Sequence, residues 1–277
     1  MSFERKKILI LVKTYPHPSN KSIETVCTAG LTDDGDWIRI YPVPYRYLAG
    51  EQQFKIFDWI EADVKKRNPG QDPRKESYHV EASSIRIVGH LDSEDDAARR
   101  FRLLQAAAVP SFEEVQRRHK GEEKASLAAI RPHIMYGLEF KKVAEEWSPK
   151  ELTALNQLSM VAQNDGQRPL RKVPYEIRCS FDDSNEAHTH HNILLTAWEY
   201  NWLLLKLIDQ YYGDEEKAKN ELNKRWMQNF AKDRTAYLIL GTPLQQDRFS
   251  TFIAIGYCII SNHYIKQGEQ LNFFDDI

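Results

Sequence analysis

Short apolar runs separated by turn sequences fill the first ninety residues. This alternation of runs and turns constrains the possible fold of the chain more than any other feature. In the third run Ile38 and Ile40 share one face, as the alternation of a strand requires. An Asp-Asp-Gly-Asp turn at 33–36 precedes it and predicts a hairpin. Five strands with short turns predict a small barrel or a strongly curled sheet. The runs lie at residues 8–13, 25–31, 37–41, 58–66 and 78–88.

Helical patterns begin after residue 92 and then alternate with strands. Ser111 and Ser148 each stand three residues before a glutamate, which predicts a capped helix start. Apolar residues surround the helix predicted over 193–212, as expected of a buried central helix. The predicted fold class is therefore α+β, with an N-terminal β-rich barrel-like module followed by a mixed α/β domain around that helix. The predicted units are 1–92, 93–265 and a C-terminal tail at 266–277.

The overall charge of the chain is nearly balanced, with 38 Lys and Arg against 40 Asp and Glu. This balance excludes a protein that coats nucleic acid by bulk charge, but it allows a local basic face. Only three cysteines occur, and they are not closely spaced. We therefore expect a protein of a reducing compartment without a disulfide framework. No run approaches the ~20 apolar residues that cross a bilayer. A cytoplasmic protein without a membrane partner is predicted.

Basic and aromatic residues gather together in the N-terminal module. Aromatic rings stack on bases while Arg and Lys bind phosphates, so this mixture predicts contact with DNA or RNA. The alternative is an ordinary solvated sheet edge whose tyrosines cover the core. The predicted contact residues are Lys13, Tyr15, Arg39, Tyr41, Tyr45, Arg46, Lys65, Lys66, Arg67, Arg74 and Lys75.

One thiol and three imidazoles lie close together between Cys179 and His191. Cys sulfur and His nitrogen are ligands that zinc prefers, so zinc is the predicted cofactor. Cys179, His188 and His191 would supply three ligands. The fourth would be His190, Asp182 or Asp183, or a water that leaves a position open for chemistry. The alternative is a polar loop that solvates the start of the next helix.

Two further patterns point to chemistry or to a partner. Glu61, Asp63 and Lys65 alternate along one strand face, as in metal-dependent nucleases, although a charged exposed face explains the same residues. The C-terminal tail is similar to the short peptide by which bacterial DNA enzymes dock on the sliding clamp. Its docking residues would be Gln270, Leu271, Phe273 and Phe274, and the alternative is packing on its own domain.

Two segments carry a resemblance to a known group of proteins. The matching residues are 10–16 (Ile-Leu-Val-Lys-Thr-Tyr-Pro) and 37–46 (Trp-Ile-Arg-Ile-Tyr-Pro-Val-Pro-Tyr-Arg), together with the later segment from Arg178 to Glu199. In these segments the chain resembles a group of bacterial proteins that has no assigned activity. His188 stands where the group has a second Cys, and Ala197 where it has Asp. The resemblance implies that most of the chain forms one unit, with a Cys/His segment followed by Trp-Glu.

Common catalytic motifs do not identify the chain, because it has no phosphate-binding Gly-Lys-Ser/Thr loop, no dinucleotide fingerprint and no His-Glu-x-x-His. The features together predict a bacterial nucleic-acid-binding protein, accessory to DNA modification, repair or phage defence. Two alternatives stay open. One is a metal-dependent enzyme, either a nuclease or a nucleotide hydrolase. The other is a non-catalytic interaction subunit.

Overall fold

A computed structural model describes residues 2–18, 26–161, 169–183, 189–244 and 251–275. Within these ranges the N-terminal half contains six strands and the C-terminal half contains seven. The strands of the first half are β1 Glu4–Lys13, β2 Val26–Thr32, β3 Trp37–Val43, β4 Asp58–Lys66, β5 Ser77–Val80 and β6 Arg86–His90. Those of the second half are β7 Ala108–Val109, β8 Leu127–Ile130, β9 Ile134–Lys142, β10 Tyr175–Asp182, β11 His190–Leu194, β12 Arg234–Gly241 and β13 Ile253–Ser261. The helices are α1 Ala97–Ala107, α2 Phe112–Lys120, α3 Pro149–Val161, α4 Trp198–Gln210, α5 Glu215–Gln228 and α6 Asn262–Asp275.

The first five strands close into a barrel, which confirms the barrel predicted for the N-terminal module. Their order is β1-β2-β3-β5-β4, and β4 also pairs with β1. Strand β3 runs parallel to β5, whereas the other pairs are antiparallel. This order is that of the OB-fold, a five-stranded Greek-key barrel. The strand predicted over 78–88 is in fact two strands, because the 3-10 turn Ala82–Ser84 separates β5 from β6.

The second half repeats the same strand order. Strands β9, β10 and β11 form one sheet, and β13, β12, β8 and β7 form another. A parallel bridge from Leu195 to Ala254 joins β11 to β13. Arg131 and Pro132 separate β8 from β9, so these two strands are successive parts of one interrupted path. Following the chain through that break gives the ring β8/β9-β10-β11-β13-β12-β8, which is again the OB-fold order.

Helices α4 and α5 connect β11 to β12 and cover the interior of the second barrel. Leu204 of α4 and Leu222 and Trp226 of α5 are fully buried in the same core as Ile177 and Phe181 of β10. The helix predicted over 193–212 begins only at Trp198, because the preceding residues belong to β11, which pairs with β10. The helix is also buried on one side only, and not all round as predicted, because four of its side chains are exposed. These are Trp202, Lys206, Asp209 and Gln210.

Two helix starts predicted from capping signals are confirmed. The Ser111 hydroxyl accepts a hydrogen bond from the Glu114 amide at the start of α2. At α3 the Glu151 carboxylate accepts from the Ser148 amide at 2.8 Å, and the Ser148 hydroxyl accepts from the Glu151 amide. These reciprocal bonds satisfy backbone donors that a helix start leaves unpaired.

The outer face of the first barrel packs directly against the second barrel. Leu9, Leu11 and Leu31 point away from the first barrel interior, yet they are buried in one core with Tyr237 and Ile239 of β12. At Gly256 of β13 an added Cβ would lie 2.2 Å from Cγ1 of Val12. Only glycine therefore allows β1 and β13 to approach this closely. The two barrels share a continuous apolar interface.

A buried arginine lies within this interface. Arg39 of β3 is 1% exposed, and its guanidinium donates to the Ser126 hydroxyl at 2.9 Å and to the Ser126 carbonyl at 3.1 Å. The Glu76 carboxylate accepts in turn from the amide and the hydroxyl of Ser126. These bonds satisfy the two terminal nitrogens of the guanidinium, whereas its Nε is buried without a hydrogen-bond partner among the described residues, so they offset only part of the cost of burying the charge.

Replacing Arg39 with alanine should destabilise the protein strongly. The change leaves the hydroxyl and carbonyl oxygens of Ser126 without their donor in a buried position and removes a cation close to Glu76 there, so we expect the free energy of unfolding to fall by about 3 kcal/mol. Urea denaturation followed by circular dichroism measures this loss. Arg99, exposed on α1, offers a matched control, and Arg99→Ala should change stability by less than about 0.5 kcal/mol. Equal effects of the two changes would contradict the role assigned to Arg39.

Candidate nucleic-acid interface

Three segments that are distant in sequence meet beside the inter-barrel interface. Lys13 and Tyr15 come from the end of β1, Tyr45 from the 3-10 turn after β3, and Trp198 and Glu199 from the start of α4. Backbone pairing brings them together, because Thr14 forms an antiparallel bridge with Ala197 and the Tyr15 amide donates to the Thr196 carbonyl at 2.8 Å. We call Lys13, Tyr15, Tyr45, Trp198 and Glu199 the junction cluster.

Aromatic rings enclose the lysine of the junction cluster. The Lys13 ammonium lies 4.0 Å from the Tyr45 ring centroid and 5.6 Å from that of Trp198, and it donates to the Phe54 carbonyl at 3.2 Å. The Tyr45 and Trp198 rings meet edge to face at 5.3 Å. Cation-π contacts of this kind stabilise an ammonium that has lost water. Lys13 is only 9% exposed, so it organises the junction rather than offering a free charge to phosphate.

The two charged groups of the junction cluster have perturbed acidities. Burial lowers the pKa of Lys13, and the neighbouring Glu199 carboxylate only partly restores it. Burial raises the pKa of Glu199, against the opposing effect of the Lys13 ammonium. Burial also raises the pKa of Tyr45 to about 12. Groups shifted in this way are typical of functional sites and of buried structural pairs.

Lys13, Tyr15 and Tyr45 were predicted contact residues, whereas no role was predicted for Trp198 or Glu199. The resemblance could have pointed to these two residues, because it covers residues 10–16, residues 37–46 and the Trp-Glu pair together. The structure brings these three marked segments into contact. Tyr15 and Tyr45 use their hydroxyls within the protein, donating to the carbonyls of Arg171 and Phe54 respectively.

Two of the predicted contact residues, Arg39 and Arg74, are buried arginines. Arg39 lies in the inter-barrel interface described above. Arg74 is 5% exposed, forms two hydrogen bonds to the Asp72 carboxylate at 2.7 and 2.8 Å, and donates to the Thr242 carbonyl. Burial acts to raise the pKa of Asp72, but the hydrogen bonds and charge of Arg74 outweigh it and the pKa is lowered. These side chains connect the barrels and do not face solvent.

Three of the other predicted basic residues border an open cleft at the end of β4. Its volume is about 590 Å³, and it is lined by Lys65, Lys66, Arg67, Asn68, Pro69, Gln71 and His79. We call this feature the basic cleft. No acidic side chain lines it among the residues described. Arg67 lies 3.9 Å from the buried Asp72 carboxylate, so Lys65 and Lys66 supply the positive charge of the cleft that has no ion-pair partner among the described residues.

The three cations of the basic cleft differ in how firmly they are held. The Lys66 ammonium lies 4.6 Å from the Tyr78 ring centroid and donates to the Lys75 carbonyl. Arg67 donates to the Tyr41 carbonyl at 3.0 Å, and its guanidinium lies 5.7 Å from the Tyr41 ring. Lys65 has no hydrogen-bond or ion-pair partner in the described part of the chain. Lys65 thus offers the least committed positive charge.

Lys75 and Arg46 lie near the other predicted contact residues but outside the lining of the cleft. Lys75 donates to the Glu122 carbonyl at 2.8 Å, which ties the loop after β4 to the end of α2. Arg46 is half-buried in the 3-10 turn Tyr45–Tyr47, next to the junction cluster.

The described members of the predicted zinc set face opposite sides of the second barrel. Cys179 is fully buried in the core, where burial raises its pKa to about 12. His191 faces the same interior and stacks on Phe112 at 4.4 Å. His190 is the adjacent residue and points outward, as strand alternation requires. His188 lies outside the described residues. In the ranges described, no three His, Cys, Asp or Glu residues form a group that could hold a metal ion.

Arg5 engages both carboxylates of the predicted nuclease face. Its guanidinium lies 3.5 Å from Glu61 and 3.2 Å from Asp63, all on the outer face of the first barrel. Lys65 follows on the same face and reaches the basic cleft. This arrangement is that of a charged strand surface, and the carboxylates have a cation from the chain itself.

The C-terminal segment proposed to dock a partner is helical. Helix α6 extends to Asp275 and packs against α1, where a Cβ on Gly268 would lie 2.9 Å from the Cβ of Ala98. The side chains of Gln270, Leu271, Phe273 and Phe274 lie outside the described residues, so clamp docking stays a prediction. No helix in the described ranges is long and apolar enough to span a bilayer.

Changing Glu199 to glutamine should alter how stability depends on pH. A raised pKa in the folded state means that Glu199 contributes stability below its unfolded pKa and loses it as the pH rises through the folded pKa. The stability difference, wild type minus Glu199→Gln, should therefore fall as the pH rises from below about 4, the ordinary range of a glutamate, towards and beyond neutral. Urea unfolding across this range measures it, and a difference that grows with pH would contradict the burial of this carboxylate.

Comparison with known proteins places the chain in a family. Residues 4–106 match the model of a domain of unknown function, DUF8758, and residues 108–277 match that of another, DUF8757. No curated protein matches the chain. A solved structure of a murine DNA-binding protein bound to double-stranded DNA covers 93% of this chain and 96% of its own, at 7% identity and a TM-score of 0.30. That score is too low to support an inference about fold or function. Since the DUF8757 model covers more than half of it, the chain belongs to the DUF8757 family, with a DUF8758 match in front.

Proposed function

We propose that the protein binds nucleic acid through the basic cleft of the first barrel. The observation that carries the proposal is the run Lys65, Lys66 and Arg67 around a cleft without an acidic lining residue. A phosphate backbone supplies negative charge at regular spacing and displaces counterions when it meets such a run. Tyr41 and Tyr78 lie beside these cations and would contribute ring surfaces near the bound strand.

The position of the cleft within the barrel supports this proposal. OB-fold barrels that hold oligonucleotides do so with the face of their second and third strands and with the loops after the first and fourth strands. In the first barrel that face is covered, because Leu31 of β2 and Arg39 of β3 lie in the inter-barrel interface. The loop after β4 stays open and carries the basic cleft. The fold supports binding at this loop by analogy with other barrels, and the charges supply the physical reason.

The near-zero net charge of the chain is compatible with this function. Acidic residues concentrate elsewhere, as in residues 92–96 and 214–216, away from the end of β4. Association would therefore depend on a local field and weaken steeply with salt. A role in DNA modification, repair or phage defence, a bacterial origin, a bound zinc ion and recruitment by a sliding clamp stay predictions from the sequence.

Reversing the charge of Lys65 should weaken binding. Lys65→Glu removes one phosphate contact and adds repulsion, so we expect affinity for a fluorescent single-stranded oligonucleotide to fall about tenfold at low salt. The slope of log K against log salt should fall in magnitude by about 1. Fluorescence anisotropy between about 20 and 200 mM salt measures both quantities for DNA and RNA.

Lys150→Glu provides the matched control for this experiment. Lys150 is exposed at the start of α3, so the substitution changes net charge equally without touching the cleft. It should leave affinity within about twofold and the salt slope unchanged. Wild-type protein that binds neither DNA nor RNA at low salt, or equal loss in both variants, would contradict binding by the basic cleft.

A further inference from the structure

A serine, a histidine and an aspartate lie together on the outer face of the second barrel. Ser180 and Asp182 are two residues apart on β10, so their side chains share one face of the strand. The same strand turns Cys179 and Phe181 into the core. His190 of β11 is the direct cross-strand partner of Asp182. The hairpin geometry alone therefore brings the three polar groups to one place.

The hydrogen bonds among these residues follow the order of a nucleophile, a base and an orienting acid. The Ser180 hydroxyl lies 3.0 Å from Nε2 of His190, and Nδ1 of His190 lies 3.2 Å from a carboxylate oxygen of Asp182. With a proton on Nδ1, the imidazole donates to Asp182 and its Nε2 accepts from the serine. This arrangement is the one that activates a hydroxyl in serine hydrolases, and it recurs on unrelated folds.

One further contact holds the acid, and the base is the exposed member of the group, since Ser180 is 5% exposed. The Tyr136 hydroxyl donates to the second carboxylate oxygen of Asp182 at 2.7 Å, which fixes the carboxylate from the neighbouring strand β9. The Asp182 side chain is 9% exposed, whereas that of His190 is 56% exposed. An enclosed acid and an accessible imidazole suit proton transfer to and from a substrate at the surface.

Polar groups able to face a developing oxyanion lie next to the serine. Asn192 is the cross-strand partner of Ser180, and its side-chain amide lies on the same face. Arg178, two residues before Ser180, donates to the Asn192 side-chain oxygen at 2.6 Å and brings a positive charge to that face. The Asn192 amide donates to the Glu139 carboxylate at 2.6 Å, so the Arg178 guanidinium is the group on this face that would stabilise charge developing on a tetrahedral intermediate.

We propose that Ser180, His190 and Asp182 form a nucleophilic site that takes small activated carboxylic esters. The Ser180 oxygen attacks the carbonyl carbon while its proton passes to Nε2 of His190. The ester C–O bond breaks, and the leaving alkoxide takes that proton from His190 to give an acyl-serine and an alcohol. Water then attacks the acyl group with His190 again accepting a proton, which releases the carboxylic acid and restores the serine. This site is separate from the basic cleft and does not depend on nucleic-acid binding.

A fluorophosphonate probe tests the site directly, because it reacts only with an activated serine. Intact-mass analysis and peptide mapping of wild-type protein should show one adduct at Ser180. His190→Gln should slow labelling at least about 100-fold, and Asp182→Asn should slow it by a smaller factor. Ser83→Ala changes an exposed serine elsewhere and should label like the wild type. Hydrolysis of p-nitrophenyl acetate should follow the same order.

The pH dependence separates general-base catalysis from a merely structural histidine. Labelling of the wild type should be faster at neutral than at acidic pH, whereas the slow labelling of His190→Gln should lack that difference. Wild-type protein that gains no adduct at Ser180 would overturn the proposal without any variant. Labelling at an unchanged rate in His190→Gln, in protein whose circular dichroism is native, would overturn it as well.

Discussion

Burial of the outer face of the first barrel against the second is the constraint on which the rest of the structure depends. An isolated barrel leaves alternate residues of each strand in water, yet Leu9, Leu11 and Leu31 face outward and are fully buried. Their partners are Tyr237 and Ile239 on β12. Both faces of β1 are therefore apolar, and neither barrel presents a complete polar surface on this side. The interface also encloses Arg39, which donates across it to Ser126, and Ser126 donates in turn to Glu76 of the first half.

This interface decides where ligands are able to bind. It removes the second and third strands of the first barrel from solvent and leaves the loop after β4 as that barrel's open basic surface. On the second barrel, β10 and β11 carry Ser180, Asp182 and His190, of which His190 is exposed whereas Ser180 and Asp182 are 5% and 6% exposed. The two barrels share one topology but expose different parts of it. Different chemistry on each is a consequence of how they pack.

The junction cluster connects this packing to the marked sequence segments. Lys13 and Tyr45 belong to the first barrel, and Trp198 and Glu199 lead into the helix that covers the second. The buried Lys13 ammonium of the first barrel is stabilised by the Trp198 ring and by the negative charge of Glu199, both of which lie at the start of α4. The cluster thus requires the two halves in a fixed relation.

Features encoded within a few residues were predictable from the sequence, whereas features that depend on distant partners were not. The helix starts at Ser111 and Ser148 followed from bonds spanning three residues. The continuous apolar stretch at residues 8–12 predicted a strand, and in the structure it is buried on both faces. The sequence predicted an Arg39 that reaches solvent. Its hydrogen-bond partner Ser126 is 87 residues away, so no local pattern indicated the contact that buries it.

The predicted zinc set shows why spacing alone is insufficient to place a site. Cys179, His190 and His191 are close in sequence, but strand alternation sends His190 outward while the other two face the core. The same alternation placed His190 beside Ser180 and Asp182, a grouping that residue spacing within a loop did not indicate. Knowing that both segments were strands of one hairpin was the missing information.

Crosslinking tests the central claim most directly, which is that nucleic acid lies along the loop after β4. A single-stranded oligonucleotide carrying 4-thiothymidine or 4-thiouridine, irradiated with the full-length protein at low salt, reports contact positions by mass spectrometry. We expect crosslinked peptides that contain residues 65–79, and we expect their yield to fall as the salt concentration rises. Crosslinks confined to β10 and β11, or none at any salt concentration, would contradict it.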